Sequence, residues 1–381
     1  MAKLGEYIEQ IRGVSYKPDN LHQSLNKDSV ILLRANNIQD GILNFDDVVY
    51  VDKSKVKSIQ YLQKGDIVVC ASSGSKELVG KASYVKENMN VTFGAFCKVV
   101  RPKISTPKYI AHYFQSSIYR KAISNLSSGA NINNIRNEHI DELTIFLPNE
   151  DIQVRIVNLL DKISSLIDLR KEQLSKLDEL VKSRFIEMFE DCQNMVALNE
   201  LCSVITDGTH QPPKFQSEGI PFIFVSNLAN NTVTYNSEKF ISEETYNELI
   251  KRTPIEVGDI LLSTVGSYGH PAIVVEERKF LFQRHIAYLK PKRSLVNSFY
   301  LHSALLAPDG QRQIEEKVKG IAQKTLNLSE IRKIMIPIPS IEEQNSFETF
   351  IKQTDKLKFE VKQSLEQLET LKKSLMQQYF G

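Results

Sequence analysis

A single run, Ile156 to Phe189, limits what this chain can become. With spacing alternating between four and three, Ile156, Leu160, Ile163, Ile167, Arg170, Leu174, Leu177, Val181, Arg184 and Met188 form a stripe apolar at eight of ten positions. Leu159, Leu166 and Leu180 widen it by one position, and no Pro or Gly interrupts it. That period, near 3.5, is the coiled-coil value. At 1.5 Å per residue, 152–190 would span roughly 55–60 Å. A stripe that long needs an equally long partner.

The partner is in the same chain. Shifted by 191 residues, Phe347, Thr354, Val361, Leu368 and Leu375 sit seven apart, with Phe350, Leu357 and Leu371 beside them. Leu174, Leu177, Leu180, Lys182, Ser183 and Phe189 fall on Leu365, Leu368, Leu371, Lys373, Ser374 and Phe380. An internal repeat of about half the chain follows. The order is globule, long helix, globule, long helix. Two helices joined by a whole domain are expected to pack antiparallel, with the globules related by a pseudo-twofold axis.

The expected class is α+β: two similar mixed α/β domains separated by an antiparallel coiled coil. The expected boundaries are 1–150 and 191–344 for the globules, 151–190 and 345–381 for the helices. In the first globule a helical stretch is expected at Leu4–Ile11. Strands are expected at Val30–Leu33, Val48–Val51, Ile67–Cys70 and Val91–Val100. A helix follows over Pro107–Leu126, ended by Ser127-Ser128-Gly129, and a strand over Ile140–Leu147. The second globule repeats this. Leu198–Ile205 matches the opening, Gly208–Pro213 matches Gly13–Pro18, Gly258-Asp259-Ile260 matches Gly65-Asp66-Ile67, Tyr300 falls on Tyr109 and Gly320 on Gly129.

No apolar run approaches the ~20 residues of a membrane span. No apolar segment follows a basic start at the N-terminus, so a cytoplasmic protein without a signal peptide is expected. Cys70, Cys97, Cys192 and Cys202 lack metal-ligand spacing and read as reduced and structural. The formal net charge is +2; residues 1–150 carry 19 basic and 15 acidic groups, residues 191–344 carry 16 and 18. Neither half is a bulk polycation, so any nucleic-acid face must concentrate its charge.

Catalytic signatures fail on spacing. Gly74 to Lys81 resembles a phosphate loop, but five residues separate the glycines where four are required, and Ala82 replaces the metal-ligating hydroxyl. Pro308-Asp309 with Glu315-Glu316-Lys317 resembles a nuclease pattern, but its carboxylates read as one helix. Gln211-Pro212-Pro213-Lys214 has the wrong ends for an amino-methyltransferase motif. No catalytic residue and no metal site are expected. What remains are loops of small polar, basic and aromatic residues at equivalent places: 12–17 with 207–214, and 72–76 with 263–268. Such groups suit base-edge and phosphate contacts.

These segments also resemble, over essentially the whole length, the specificity subunits of type I restriction–modification systems. The likeness rests on IRGVSYKP (11–18), LLRANNIQDG (32–41), GDIVVCASSGSKELVGKA (65–82) and FGAFCKVVRP (93–102). In the second half it rests on ITDGTHQPPKF (205–215), GIPFIFVSNL (219–228), GDILLSTVGSYG (258–269) and IPIPSIEEQ (336–344), and on both closing helices. The resemblance implies two target-recognition domains, each reading half of a split sequence in double-stranded DNA. It implies helices that set the spacing and dock two methyltransferase (modification) subunits, with restriction subunits as further partners. S-adenosylmethionine would then lie in the methyltransferase, ATP and magnesium in the restriction subunit, and no cofactor in this chain. Motif position and loop chemistry nominate Arg12, Ser15, Tyr16, Lys17, Ser73, Lys76 and Lys81 as DNA contacts in the first half. Thr209, His210, Lys214, Ser267 and Tyr268 are nominated in the second. Lys171, Glu172 and Lys182 mark helix faces for the methyltransferases. The net negative second domain is expected to lean more on partners for phosphate contacts.

Overall fold

A computed structural model describes residues 1–39, 41–75, 77–127, 134–320 and 324–381. The chain folds as two compact units, Met1–Lys171 with Gln363–Gly381 (unit 1) and Glu172–Lys362 (unit 2). The long helices are Glu150–Phe189 and Ile341–Phe380, 40 residues each, so the 191-residue offset holds at both ends. Each helix gives one half to each unit.

In unit 1, Arg170 Nε donates to Ser364 Oγ at 3.2 Å, while Ile156 and Leu160 share a core with Met376 and Phe380. Numbering rises along one segment as it falls along the other, so the two are antiparallel. In unit 2, Asp178 pairs with Lys358 at 2.7 Å, while Phe185 and Phe189 lie 5.5 Å from Phe347. The segments there are antiparallel as well. Along the alternating stripe Ile156, Leu160, Ile163 and Ile167 are buried and Arg170, Leu174, Leu177, Val181, Arg184 and Met188 half-buried, while toward the helix end the off-stripe Phe185 and Phe189 are the buried positions. The widened positions are a correction. Leu159, Leu166 and Leu180 are 38%, 37% and 48% exposed, and Leu357 and Leu371 likewise face solvent. A two-helix seam covers little beyond its own core positions.

Each unit is built around two larger sheets, of which the first has the same strand order in both units and the second has four strands in unit 1 and three in unit 2. In unit 1 the order is Ile8–Arg12, Cys97–Pro102, Ile67–Cys70, Ala82–Tyr84, all antiparallel. Unit 2 repeats it with Cys202–Asp207, Ile286–Pro291, Ile260–Ser263 and Pro271–Ile273. In the second sheets, Val91–Phe93 runs parallel to Ser29–Leu33, and Leu281–Phe282 parallel to Ile220–Ile223. Ile67–Cys70 and Ile260–Leu262 are unbroken apolar runs because both their faces are covered. Ile67 and Val69 enter the core under the helices with Tyr109 and Tyr113, whereas Val68 and Cys70 meet Leu33 and Val99 on the other side. Ile260 and Leu262 against Leu261 divide the same way.

Four local expectations change. Leu4–Ile11 is a 3-10 turn at Leu4–Tyr7 followed by the strand Ile8–Arg12. Ile8 and Ile11 mimic helical spacing, yet they enter different cores on opposite faces of a strand. Val91–Val100 is two strands in two sheets. Pro107–Leu126 breaks into Pro107–Phe114 and Ser117–Ser127, because Ser116 Oγ accepts the Tyr119 N–H at 3.1 Å and so caps a new helix. Ile140–Leu147 is mostly the end of helix Asn137–Asp141 and the two-residue strand Thr144–Ile145, which pairs with Ala2–Lys3. Ser128 and Gly129 lie outside the described residues. All four cysteines are free thiols. No helix among the described residues is long and apolar enough to cross a membrane.

Lys98 is a buried cation, 6% exposed, whose Nζ donates to Gln10 Oε1 (2.9 Å) and Asn137 Oδ1 (2.8 Å). Burial lowers its pKa to about 8, against the opposing pull of Asp141 and Glu138. The unfolded chain therefore holds more protons between pH of about 8 and 10.5, and folding stability rises with pH across that window. Below it the penalty is fully present. Comparing Lys98→Met with wild type by urea denaturation should show the wild type gaining on the variant, on the order of 2 kcal/mol between pH 7 and pH 10. A constant difference would contradict the burial cost.

Candidate nucleic-acid interface

The loops nominated from sequence meet where the chain passes between sheets. After Ile8–Arg12 the chain crosses at Gly13, and Val14 donates its N–H to the Phe93 carbonyl at 2.8 Å. A Cβ on Gly13 would stand 2.1 Å from the Gly94 carbonyl oxygen. Unit 2 crosses at Gly208: Thr209 donates to Phe282 O at 2.9 Å, and a Cβ on Gly208 would stand 2.3 Å from that oxygen. Backbone contact this close admits only glycine, which is why the sequence pattern keeps Gly at both places.

Two further segments join each crossing. Ala71 and Ser72 donate N–H to the Phe96 carbonyl at 2.9 and 3.0 Å, and Ile135 donates to Ala71 O at 2.7 Å. In unit 2, Thr264 donates to His285 O at 3.0 Å and Leu326 to Thr264 O at 2.8 Å. Each platform is thus assembled from four segments far apart in sequence.

The two platforms carry different charge. In unit 1 an open groove of about 550 Å³ is lined by Arg12, Ser15, Lys55, Lys57 and Gln60 among others. Gln60 Nε2 donates to the Arg12 carbonyl at 2.9 Å, holding the 55–60 segment beside the crossing. In unit 2, Asp207 ends the equivalent strand and accepts Arg252 at 2.6 Å and His210 at 2.8 Å. The Arg252 guanidinium there is neutralised in place.

The nominated residues distribute unevenly. Arg12, Ser15, Lys17, His210, Lys214 and Ser267 are exposed. Tyr16 is half-buried, its ring packed against the small core of Val14, Val30 and Leu32. Ser73 is half-buried in the loop beside Phe96, and Lys81 is half-buried where the chain returns to the sheet. Thr209 forms the crossing itself. Tyr268 donates its hydroxyl to Glu315, and Lys324 Nζ sits 5.7 Å over its ring. Lys76 lies outside the described residues. On the helices, Lys171 pairs weakly with Glu369 at 3.9 Å, Glu172 with Lys176 at 2.6 Å, and Lys182 is exposed. Lys55, Lys57, Phe96, Arg284 and His285 were not nominated. Matching Phe93–Pro102 to Phe282–Pro291 would have found the last three, since the ends agree and the middle changes chemistry.

The nuclease-like carboxylates belong to the helix Pro308–Lys317. Asp309 and Glu316 both pair with Arg312, and Glu315 with Lys324 at 3.0 Å. Among the described residues no cluster of His, Cys, Asp or Glu could hold a metal ion.

Comparison with known proteins points one way. The type I restriction modification DNA specificity domain family matches twice, at residues 4–179 and 190–370. A 173-residue stretch is 42% identical to the type I restriction enzyme StySPI specificity subunit of Salmonella potsdam, covering 45% of this chain and 37% of that protein. The chain thus spans well under half the length of that relative. Over 97% of this chain and 86% of the relative, it is 28% identical to the type I restriction enzyme EcoKI specificity subunit of Escherichia coli strain K12. Two solved structures share the fold. The S subunit of a type I restriction–modification system from M. genitalium matches with a TM-score of 0.54 at 15% identity, over 100% of this chain and 95% of that one. A chain from work on complex assembly and conformational transition of the type I R-M system matches with 0.58 at 16%, over 98% and 97%.

Proposed function

The chain belongs to the type I restriction modification DNA specificity family, and from that membership we propose that it is a non-catalytic recognition subunit reading a two-part site in double-stranded DNA. The observation that carries this is the duplicated platform: the same glycine crossing joined by the same backbone bonds, once in each unit and with different side chains. One chain then holds two readers built alike and reading differently. Two modification subunits dock on the long helices, near Lys171, Glu172 and Lys182 and over the leucines left exposed there, such as Leu166 and Leu180. They bring S-adenosylmethionine, and target adenines leave the duplex to reach them. A restriction subunit, where present, brings ATP and magnesium.

Methylome sequencing of cells expressing the chain with its modification subunit tests this. One two-part motif, with adenines modified on both strands, is expected. Absence of any such motif, or cleavage of plasmid by the purified chain with magnesium alone, would refute the reading.

Phosphate contact has its own signature. Lys55→Ala and Lys57→Ala are each expected to weaken binding to specific and random DNA alike, lowering the salt slope by about 0.9 for each phosphate no longer neutralised. Lys76 and Lys214 are to be tested in the same titration. An unchanged slope would remove a residue from the interface.

A further inference from the structure

The two crossings enclose a three-residue tip, Gly94-Ala95-Phe96 in unit 1 and Gln283-Arg284-His285 in unit 2. The tips are held by the same bonds. Gly94 donates N–H to Leu33 O at 2.9 Å, as Gln283 does to Ile223 O at 3.1 Å; Cys97 donates to Gly94 O at 2.8 Å, as Ile286 does to Gln283 O at 3.1 Å. With the bonds from Ala71 and Ser72 to Phe96 O, and from Thr264 to His285 O, each tip is fixed on both sides. What it presents differs. Phe96 is 69% exposed, on the tip whose Gly94 meets the Gly13 crossing. Arg284 is exposed, and its Nε lies 3.3 Å from His285 Nε2.

Resting on the DNA-reading function above, we propose that these tips are specificity determinants. Arg284 donates to the O6 and N7 edge of a guanine in one half-site, and Phe96 packs on a thymine methyl group in the other. A rigid mount is what base reading needs, because a reader that can retreat discriminates poorly. A solvent-facing phenylalanine gains nothing in the free protein, whereas the thymine methyl is the apolar feature of the major groove. A guanidinium suits guanine because its fork meets two acceptors at once. His285 orients that fork: burial and the neighbouring guanidinium lower its pKa, so the neutral ring can accept the Nε–H and leave the terminal nitrogens for a base.

The test is methylome sequencing of wild type, Phe96→Ala, Arg284→Ala and Arg284→Lys, each with the modification subunit, plus binding to DNA with all four pairs at each motif position. Arg284→Ala should relax one guanine-containing position of one half-site, losing about 10- to 100-fold discrimination there. The other half should keep its sequence, which also reports that the variant folds. Phe96→Ala should relax a thymine position in the opposite half. Should Arg284→Ala abolish methylation, Arg284→Lys decides: charge without the fork should restore binding but not discrimination. A two-part wild-type motif left unaltered in every variant, or weakened evenly at all positions, overturns the tips while leaving the recognition function standing. No wild-type motif defeats the recognition function itself.

Discussion

Phe380→Ala is expected to destabilise unit 1 by about 3–5 kcal/mol. Phe380 is 2% exposed, with its ring 5.1 Å from Tyr109 and 6.0 Å from Tyr113, inside the core that covers the central strand Ile67–Cys70. The repeat gives the reason. Phe189 ends the first long helix and packs in unit 2 against Tyr300 at 4.9 Å and Phe347 at 5.5 Å. Each long helix thus delivers its terminal aromatic to one unit, and unit 1 receives its own from residues more than 200 positions away. Hydrogen exchange should show 67–70 and 97–102 losing protection in Phe380→Ala, with 260–263 unaffected. Protection unchanged in unit 1 would mean that the ring only decorates the surface.

Much of this architecture is legible in the residue pattern alone. The 4-3 stripe locates both helices because a coiled-coil seam imposes its period directly on side chains. Gly13 and Gly208 stand out because a backbone oxygen excludes a Cβ there, and exclusion leaves a mark in sequence. Other features leave none. Ile8 and Ile11 fit a helix or a strand, and only the two cores on opposite sides decide between them. The break after Phe93 is marked only by Gly94, which a continuous strand would also tolerate, so Val91–Val100 reads as one strand until the two sheets separate it. Lys55 and Lys57 look like any solvated charges until Gln60 ties their segment to Arg12. Tyr16 and Tyr268, nominated from loop chemistry, also pack within their own units, a contact that loop composition does not print.

The repeat also places one aspartate twice, with different support. In unit 1 Asp66, 1% exposed, accepts from Arg101 Nε and Nη2 at 2.7 and 2.8 Å and from the Gln63 N–H at 2.8 Å. In unit 2 Asp259 accepts the Tyr288 hydroxyl at 2.7 Å and the Glu256 N–H at 2.9 Å, with Lys290 only at 3.6 Å. Burial raises the Asp259 carboxyl above its usual range, so the folded state there holds its proton more readily and loses stability as pH climbs through the titration. Arg101→Leu should therefore cost about 3–5 kcal/mol, because it strands a buried carboxylate. Lys290→Leu should cost less, because Lys290 stands 3.6 Å from Asp259 and the Tyr288 hydroxyl and Glu256 N–H still hold that carboxyl. The measurement is hydrogen exchange of 67–70 in the first variant against 260–263 in the second. Equal losses would show that the two aspartates are held alike, and that the repeat preserves the energetics of this position as well as its geometry.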